Sequence, residues 1–163
     1  MTLQIVNVDY ANTRHAEDLV RLLNAYACDS MGGGAPLAVD VQNRLVEGLA
    51  ALPYAFSLLG YVDQQAVGLV NCFESFSTFK CRPLVNIHDI FVAPEYRGRG
   101  YSRQLLARVE AVARAKGCCK LTLEVLEGNR PAQQAYRRFG FAGYELDPQM
   151  GKALFWEKRL EPA

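Results

Sequence analysis

Charge of one sign is not in excess in this chain: 18 Lys and Arg stand against 17 Asp and Glu, a formal net charge of +1. The broad basic field by which proteins hold nucleic acid is missing, so no nucleic-acid partner is expected. Cysteine is sparse and unpatterned: Cys28, Cys72, Cys81, Cys118 and Cys119 are odd in number and form no C-x-x-C pair. That argues against a disulfide framework or a thiolate metal centre and for reduced thiols in a cytoplasmic protein, with no metal expected. The opening residues 1–9 have neither a basic stretch nor an apolar core of the kind a signal peptide needs. No apolar run approaches the ~20 residues of a membrane span, so no membrane partner is expected either. Repeats, low-complexity tracts and linkers are absent as well. What is present is a 163-residue chain that is 50% apolar, enough for a buried core without staples, and a single domain over residues 1–163 is expected.

Leu3, Ile5 and Val8 have strand character, and Asn12 and Thr13 can cap a helix with an apolar stripe of Leu19, Val20, Leu22, Leu23 and Tyr26. Residues 28–36 contain three glycines and a proline and read as a mobile loop, after which Asp40 opens a second helix through Leu49. Residues 54–62 and 66–75 form a hairpin pattern about Asp63, Gln64 and Gln65. A strand over 84–92 ends at Pro94, and a helix runs from about Gly100 to Lys116 with Gly117 as its stop. Leu121, Leu123 and Val125 alternate as a strand; Asn129, Pro131 and Gly140 bracket a short helix over 130–139. Residues 141–146 and 153–160 read as a closing pair of strands. The order predicts an α/β domain around one mixed sheet.

The most informative stretch runs from Ile87 to Ser102, where a strand passes through the basic turn Arg97-Gly98-Arg99-Gly100 directly into a helix. Unpaired N–H groups at a helix start, with the positive end of its dipole, hold a pyrophosphate, and glycines let it approach. Arg97, Arg99 and Arg103 add positive charge. The Walker pattern has no match here, and the dinucleotide fingerprint would need glycine where Arg103 stands. Alone, R-G-x-G reads equally well as a turn with exposed arginines.

Two blocks together resemble the GNAT family of N-acetyltransferases. Arg97, Gly100 and Ser102 take the three defining positions of its pyrophosphate loop, Q/R-x-x-G-x-G/A, with Ser102 departing from Gly/Ala but still small. Further on, Asn129-Arg130-Pro131-Ala132, Tyr136 and Phe139-Gly140-Phe141 are similar to the family's N-x-x-A, Y and G-F segment. The resemblance implies a central mixed, mostly antiparallel sheet flanked by about four helices. It implies acetyl-CoA as cosubstrate and acetyl transfer to a primary amine by direct attack in a ternary complex, with some similarity to the polyamine and diamine branch.

By that resemblance the backbone of Ile90, Phe91 and Val92 lies along the pantetheine arm. The loop from Arg97 through Gly98, Arg99, Gly100, Tyr101 and Ser102 to Arg103 holds the pyrophosphate, and Asn129 bonds the pantetheine or nearby backbone. Tyr136 is the general acid toward the departing thiolate; a helix tyrosine packed in the core is the alternative. His88 is a candidate base, with Asp89 and Glu74 as rivals and a structural strand histidine as the alternative; strand alternation is expected to send His88 and Asp89 to opposite faces. Asp29 and Glu74 are candidate substrate residues, and the Gly-rich loop over 29–37 a lid on the acceptor. A small amine, amino acid or polyamine is expected, in a homodimer. The rivals are a protein lysine or N-terminal acetyltransferase, a non-catalytic acetyl-CoA-binding module and a ping-pong enzyme using Cys118 or Cys119.

Overall fold

The computed structural model describes residues 2–160. Strands β1 (Gln4–Asn7), β2 (Ala55–Val62), β3 (Gln65–Ser77), β4 (Arg82–Val92) and β5 (Leu121–Leu123) form one five-stranded sheet in sequence order. The first three pairings are antiparallel and the pairing of β4 with β5 is parallel. Helices α1 (Thr13–Cys28) and α2 (Val39–Ala50) precede β2, and α3 (Tyr101–Ala115) and α4 (Arg130–Phe139) flank β5. The expected mixed, mostly antiparallel sheet with four helices is the observed architecture. Among the described residues no helix is long and apolar enough to cross a membrane.

Local chemistry sets most of these boundaries. Asn12 caps α1 by accepting from the His15 N–H, and Asn129 caps α4 by accepting from the Ala132 N–H. Gly140 ends α4 at φ 111°. The turn between β2 and β3 places both Asp63 (φ 47°) and Gln64 (φ 64°) in the left-handed region, the twist that joins hairpin strands directly.

The strands alternate between two cores. Leu59, Leu69 and Phe91 pack with Leu19, Leu22 and Leu49 on the α1/α2 face. Leu58, Val70, Val85 and Ile87 pack with Leu105, Leu106 and Val109 on the α3 face. A Cβ at Gly68 would lie 2.9 Å from Leu105 Cδ1. The bare glycine therefore lets α3 rest directly on the sheet, which fixes the helix mouth at the end of β4.

Two expectations are corrected. The closing strands over 141–146 and 153–160 are not formed: one backbone bond, Ala153 N–H to Tyr144 C=O, links the two stretches, and a ladder needs repeated bonds. The neighbouring edge belongs to β5, only three residues long, which gives them little to pair with. Secondly, β4 does not alternate regularly through His88. Asn71 opposes Asp89 while Cys72 opposes Ile87, so His88 is an extra residue, a β-bulge.

Candidate active site

Strands β4 and β5 part company halfway along. Their parallel pairing covers only Val85, Asn86 and Ile87. Beyond it, Ala93 donates to Val67 C=O toward β3. Counting back from Ala93 in the antiparallel ladder turns the peptide groups of Ile90 and Val92 outward, toward the side that β5 has left. An open strand edge thus leads to the basic turn. Val92 C=O already accepts from Arg97 Nε at 2.9 Å, which pins the turn to the strand end.

The turn itself is shaped for an anion. A short 3-10 helix, Pro94–Tyr96, leads into Gly98 (φ 76°) and Gly100 (φ 77°), both left-handed, a conformation glycine adopts without strain. A Cβ at either would meet nothing within 4 Å, so open space lies before them. Gly100 is the N-cap of α3 and gives no side-chain cap; the first helical bond is Gln104 N–H to Gly100 C=O, and the Ser102 and Arg103 amides precede it at the positive end of the helix. Phe91 and Tyr101 are core residues, 4% and 5% exposed, so any part they take in binding is through the backbone.

Arg97 does more than add charge. Its guanidinium pairs with Asp29 at 2.8 Å and lies over the Phe91 ring. Asp29 also accepts from Met31 N–H at 2.9 Å, and these two bonds, Met31 first, hold its carboxyl below the usual range. Asp29, expected at the acceptor, therefore ties the Gly-rich loop to the basic turn. Glu74 is not brought to this region. It follows Val70 and Cys72 on the α3 face and pairs with Lys116 at 2.9 Å.

The bulge overturns the expected separation of His88 and Asp89. The His88 ring stands edge-on to Phe73, centroids 5.3 Å apart, and Asp89 accepts from Asn71 Nδ2 at 3.0 Å. Phe73 packs on the α1/α2 core, and Asn71 alternates with Val70 onto that same face. Both side chains consequently point to one side.

Tyr26 and Tyr136 complete the group. Burial and then the charges of Asp89 and Asp29 raise the Tyr26 hydroxyl above its ordinary value. Burial, and then Tyr26, push Tyr136 up to about 12. Four groups from α1, its C-terminal loop, β4 and α4 thus share one electrostatic neighbourhood. The Tyr136 ring packs edge-on to Phe141, and its hydroxyl makes no hydrogen bond to a described residue. Asn129, expected near pantetheine, uses its side chain on the Ala132 N–H and so orients the helix carrying Tyr136. Among the described residues no three His, Cys, Asp or Glu side chains gather as metal ligands.

Sequence reasoning missed Tyr26, taken as core stripe, and Asn71. A signal for Asn71 existed: an amide inside the apolar run Val67 to Cys72 must have a partner once buried.

Residues 19–141 match the family model described as Acetyltransferase (GNAT) family, and the chain belongs to that family. Thialysine N-epsilon-acetyltransferase of Bos taurus is 40% identical over 74 residues, 45% of this chain and 43% of the relative. Streptothricin acetyltransferase of Streptomyces lavendulae is 45% identical over 73 residues, 45% of this chain and 38% of the relative. The chain thus spans less than half the length of these curated relatives. An aminoglycoside N-acetyltransferase solved with CoA superposes with a TM-score of 0.73 at 21% identity, covering 98% of this chain and 96% of that one. A ribosomal-protein-alanine N-acetyltransferase from Brucella melitensis biovar Abortus 2308 gives 0.67 at 18%, over 99% and 100%. At such identities the likeness is one of fold.

Proposed function

We propose that the protein is an N-acetyltransferase that moves an acetyl group from acetyl-CoA to a primary amine of a small molecule. The observation that carries this reading is the parted β4 edge running into left-handed Gly98 and Gly100 at the mouth of α3. Pantetheine is amide-bearing and extended, so it can add to the outward peptide groups of Ile90 and Val92 as a strand would. The pyrophosphate then meets the amides of the turn from Gly98 to Arg103.

In a ternary complex the amine nitrogen attacks the thioester carbonyl carbon, the N–C bond forms, and the C–S bond breaks as the oxyanion collapses. The amine proton passes to Asp89, directly or through water, and the thiolate takes a proton from Tyr136. Burial supports the acid role, because a hydroxyl pushed up to about 12 stays protonated at neutral pH. Asp89 is favoured over His88 because a buried amide fixes its carboxylate, whereas His88 is exposed with its ring edge-on to Phe73. Asp29 serves the reading as a tie between acceptor loop and cofactor loop. A loop fastened there supports a small acceptor over a protein tail. The relatives named for thialysine and streptothricin support an amine acceptor. The exposed Leu154, Phe155, Trp156 and Leu160 support a homodimer that covers them.

Release of free thiol from acetyl-CoA across a panel of diamines, polyamines, amino acids and aminoglycosides, with peptides as comparison, tests the reading. Turnover with small amines is expected. Acetylation of peptides alone would replace the acceptor class, and absent turnover despite tight CoA binding would favour a regulatory module.

A further inference from the structure

A row of polar side chains crosses the apolar α1/α2 face of the sheet beneath the proposed base. The register sets Ser57 opposite Asn71 and Asn71 opposite Asp89, so three neighbouring strands present three polar groups in line. Ser57 and Asn71 are 2% and 3% exposed, among Leu58, Leu59, Leu69 and Val70, which are fully buried. Polar groups so placed persist only when paired, and these pair with each other: Ser57 Oγ lies 2.6 Å from Asn71 Oδ1, and Asn71 Nδ2 lies 3.0 Å from Asp89 Oδ2. At the far end the Tyr10 hydroxyl sits 2.9 Å from Ser57 Oγ.

The direction of the chain follows from its chemistry. A carboxylate only accepts, so Asn71 turns its amide nitrogen to Asp89 and its oxygen to Ser57. Ser57 has one proton, which goes to that oxygen, and its own oxygen accepts from Tyr10. Every proton in the row points toward Asp89. Such a chain polarises along its length and fixes the direction of the bond at its end. It also leaves the second carboxylate oxygen of Asp89 without a bond to any described residue, beside the bulge at His88.

We infer that Asn71, oriented by Ser57 and Tyr10, is the positioning residue that holds Asp89 as a fixed proton acceptor. This rests on the reading of Asp89 as the base. An amide does not relay protons readily, so the row aims the carboxylate and is not a proton exit. The bulge explains the need: strand pairing is interrupted next to Asp89, and a cross-strand bond replaces the lost restraint.

A double-mutant cycle tests it. Asn71→Leu keeps the volume roughly and removes both bonds, and kcat is expected to fall at least about tenfold with KM for acetyl-CoA unchanged. In an Asp89→Asn background the same substitution is expected to change kcat by less than about twofold, because the group it positions is gone. Tyr10→Phe, which disturbs only the far end, is expected to lower kcat about threefold with the same KM pattern, and it decides the matter if the Asn71 variant does not fold. Retained kcat in Asp89→Asn would overturn both the base assignment and this inference. Lost activity in Asp89→Asn, with unchanged kcat or fully additive effects in the Asn71 and Tyr10 variants, would overturn the inference and leave the base standing.

Discussion

Replacing Tyr136 with phenylalanine removes one oxygen from a helix that stays capped by Asn129 and packed on Phe141. If that oxygen carries the proton to the leaving thiolate, kcat falls about a hundredfold while the Kd for coenzyme A hardly moves. Stopped-assay turnover with a thiol reagent, beside calorimetric titration of coenzyme A, separates the two quantities. Titration also affects stability. Burial raises Cys72 from 9.0 to about 12, and it raises Tyr61, helped by its bond to Asp18, and Tyr136 from 10.0 to about 12. Below their ordinary values these groups are protonated whether folded or not. Between pH 9 and 12 the unfolded chain ionises first while the folded chain keeps its protons, so stability is lost as pH rises through that window. Urea midpoints measured at pH 8 and 10.5 should fall, and the fall should be smaller in Tyr61→Phe. The arginines were legible from residue type and Tyr136 through the resemblance; Tyr26 was not, since its spacing on α1 is that of a core residue and the charge of Asp89 reaches it from across the fold.

At the scale of elements, the turn into α3 is the proposed cofactor site. Gly100→Ala places a Cβ on a left-handed residue, which costs about 1 kcal/mol and lowers the melting temperature by about 2–4 °C. No protein atom resists that methyl group, so loss of affinity reports the ligand's own approach. The Kd for coenzyme A is expected to rise about tenfold by calorimetry, equal to about 1.4 kcal/mol. Unchanged affinity would move the pyrophosphate elsewhere. Element boundaries were the most readable part of this chain, since Asn12, Asn129 and Gly140 act on backbone groups within a few residues of themselves. The bulge at His88 was not readable. It is a mismatch between β3 and β4, and nothing in β4 alone records how many residues of β3 lie opposite.

For the molecule as a whole, coenzyme A at a hundred times its Kd should stabilise the fold by about 2.7 kcal/mol. That corresponds to a rise of about 5–10 °C in a chain of this size, and a flat thermal profile would remove the cofactor site altogether. Sedimentation should give twice the monomer mass. Trp156→Glu should return it to the monomer if the apolar side chains between 153 and 160 meet in the assembly. By itself the sequence determined the order of strands and helices as far as α4, the caps at Asn12, Asn129 and Gly140, and the glycine turn into α3, because each follows from contacts between near neighbours. Only the tertiary structure decided where β4 and β5 part, that His88 and Asp89 face one way, and that Asp29 and Glu74 are engaged with Arg97 and Lys116. These depend on register and on charges distant in sequence, and distance along a chain carries no information about which strand lies alongside.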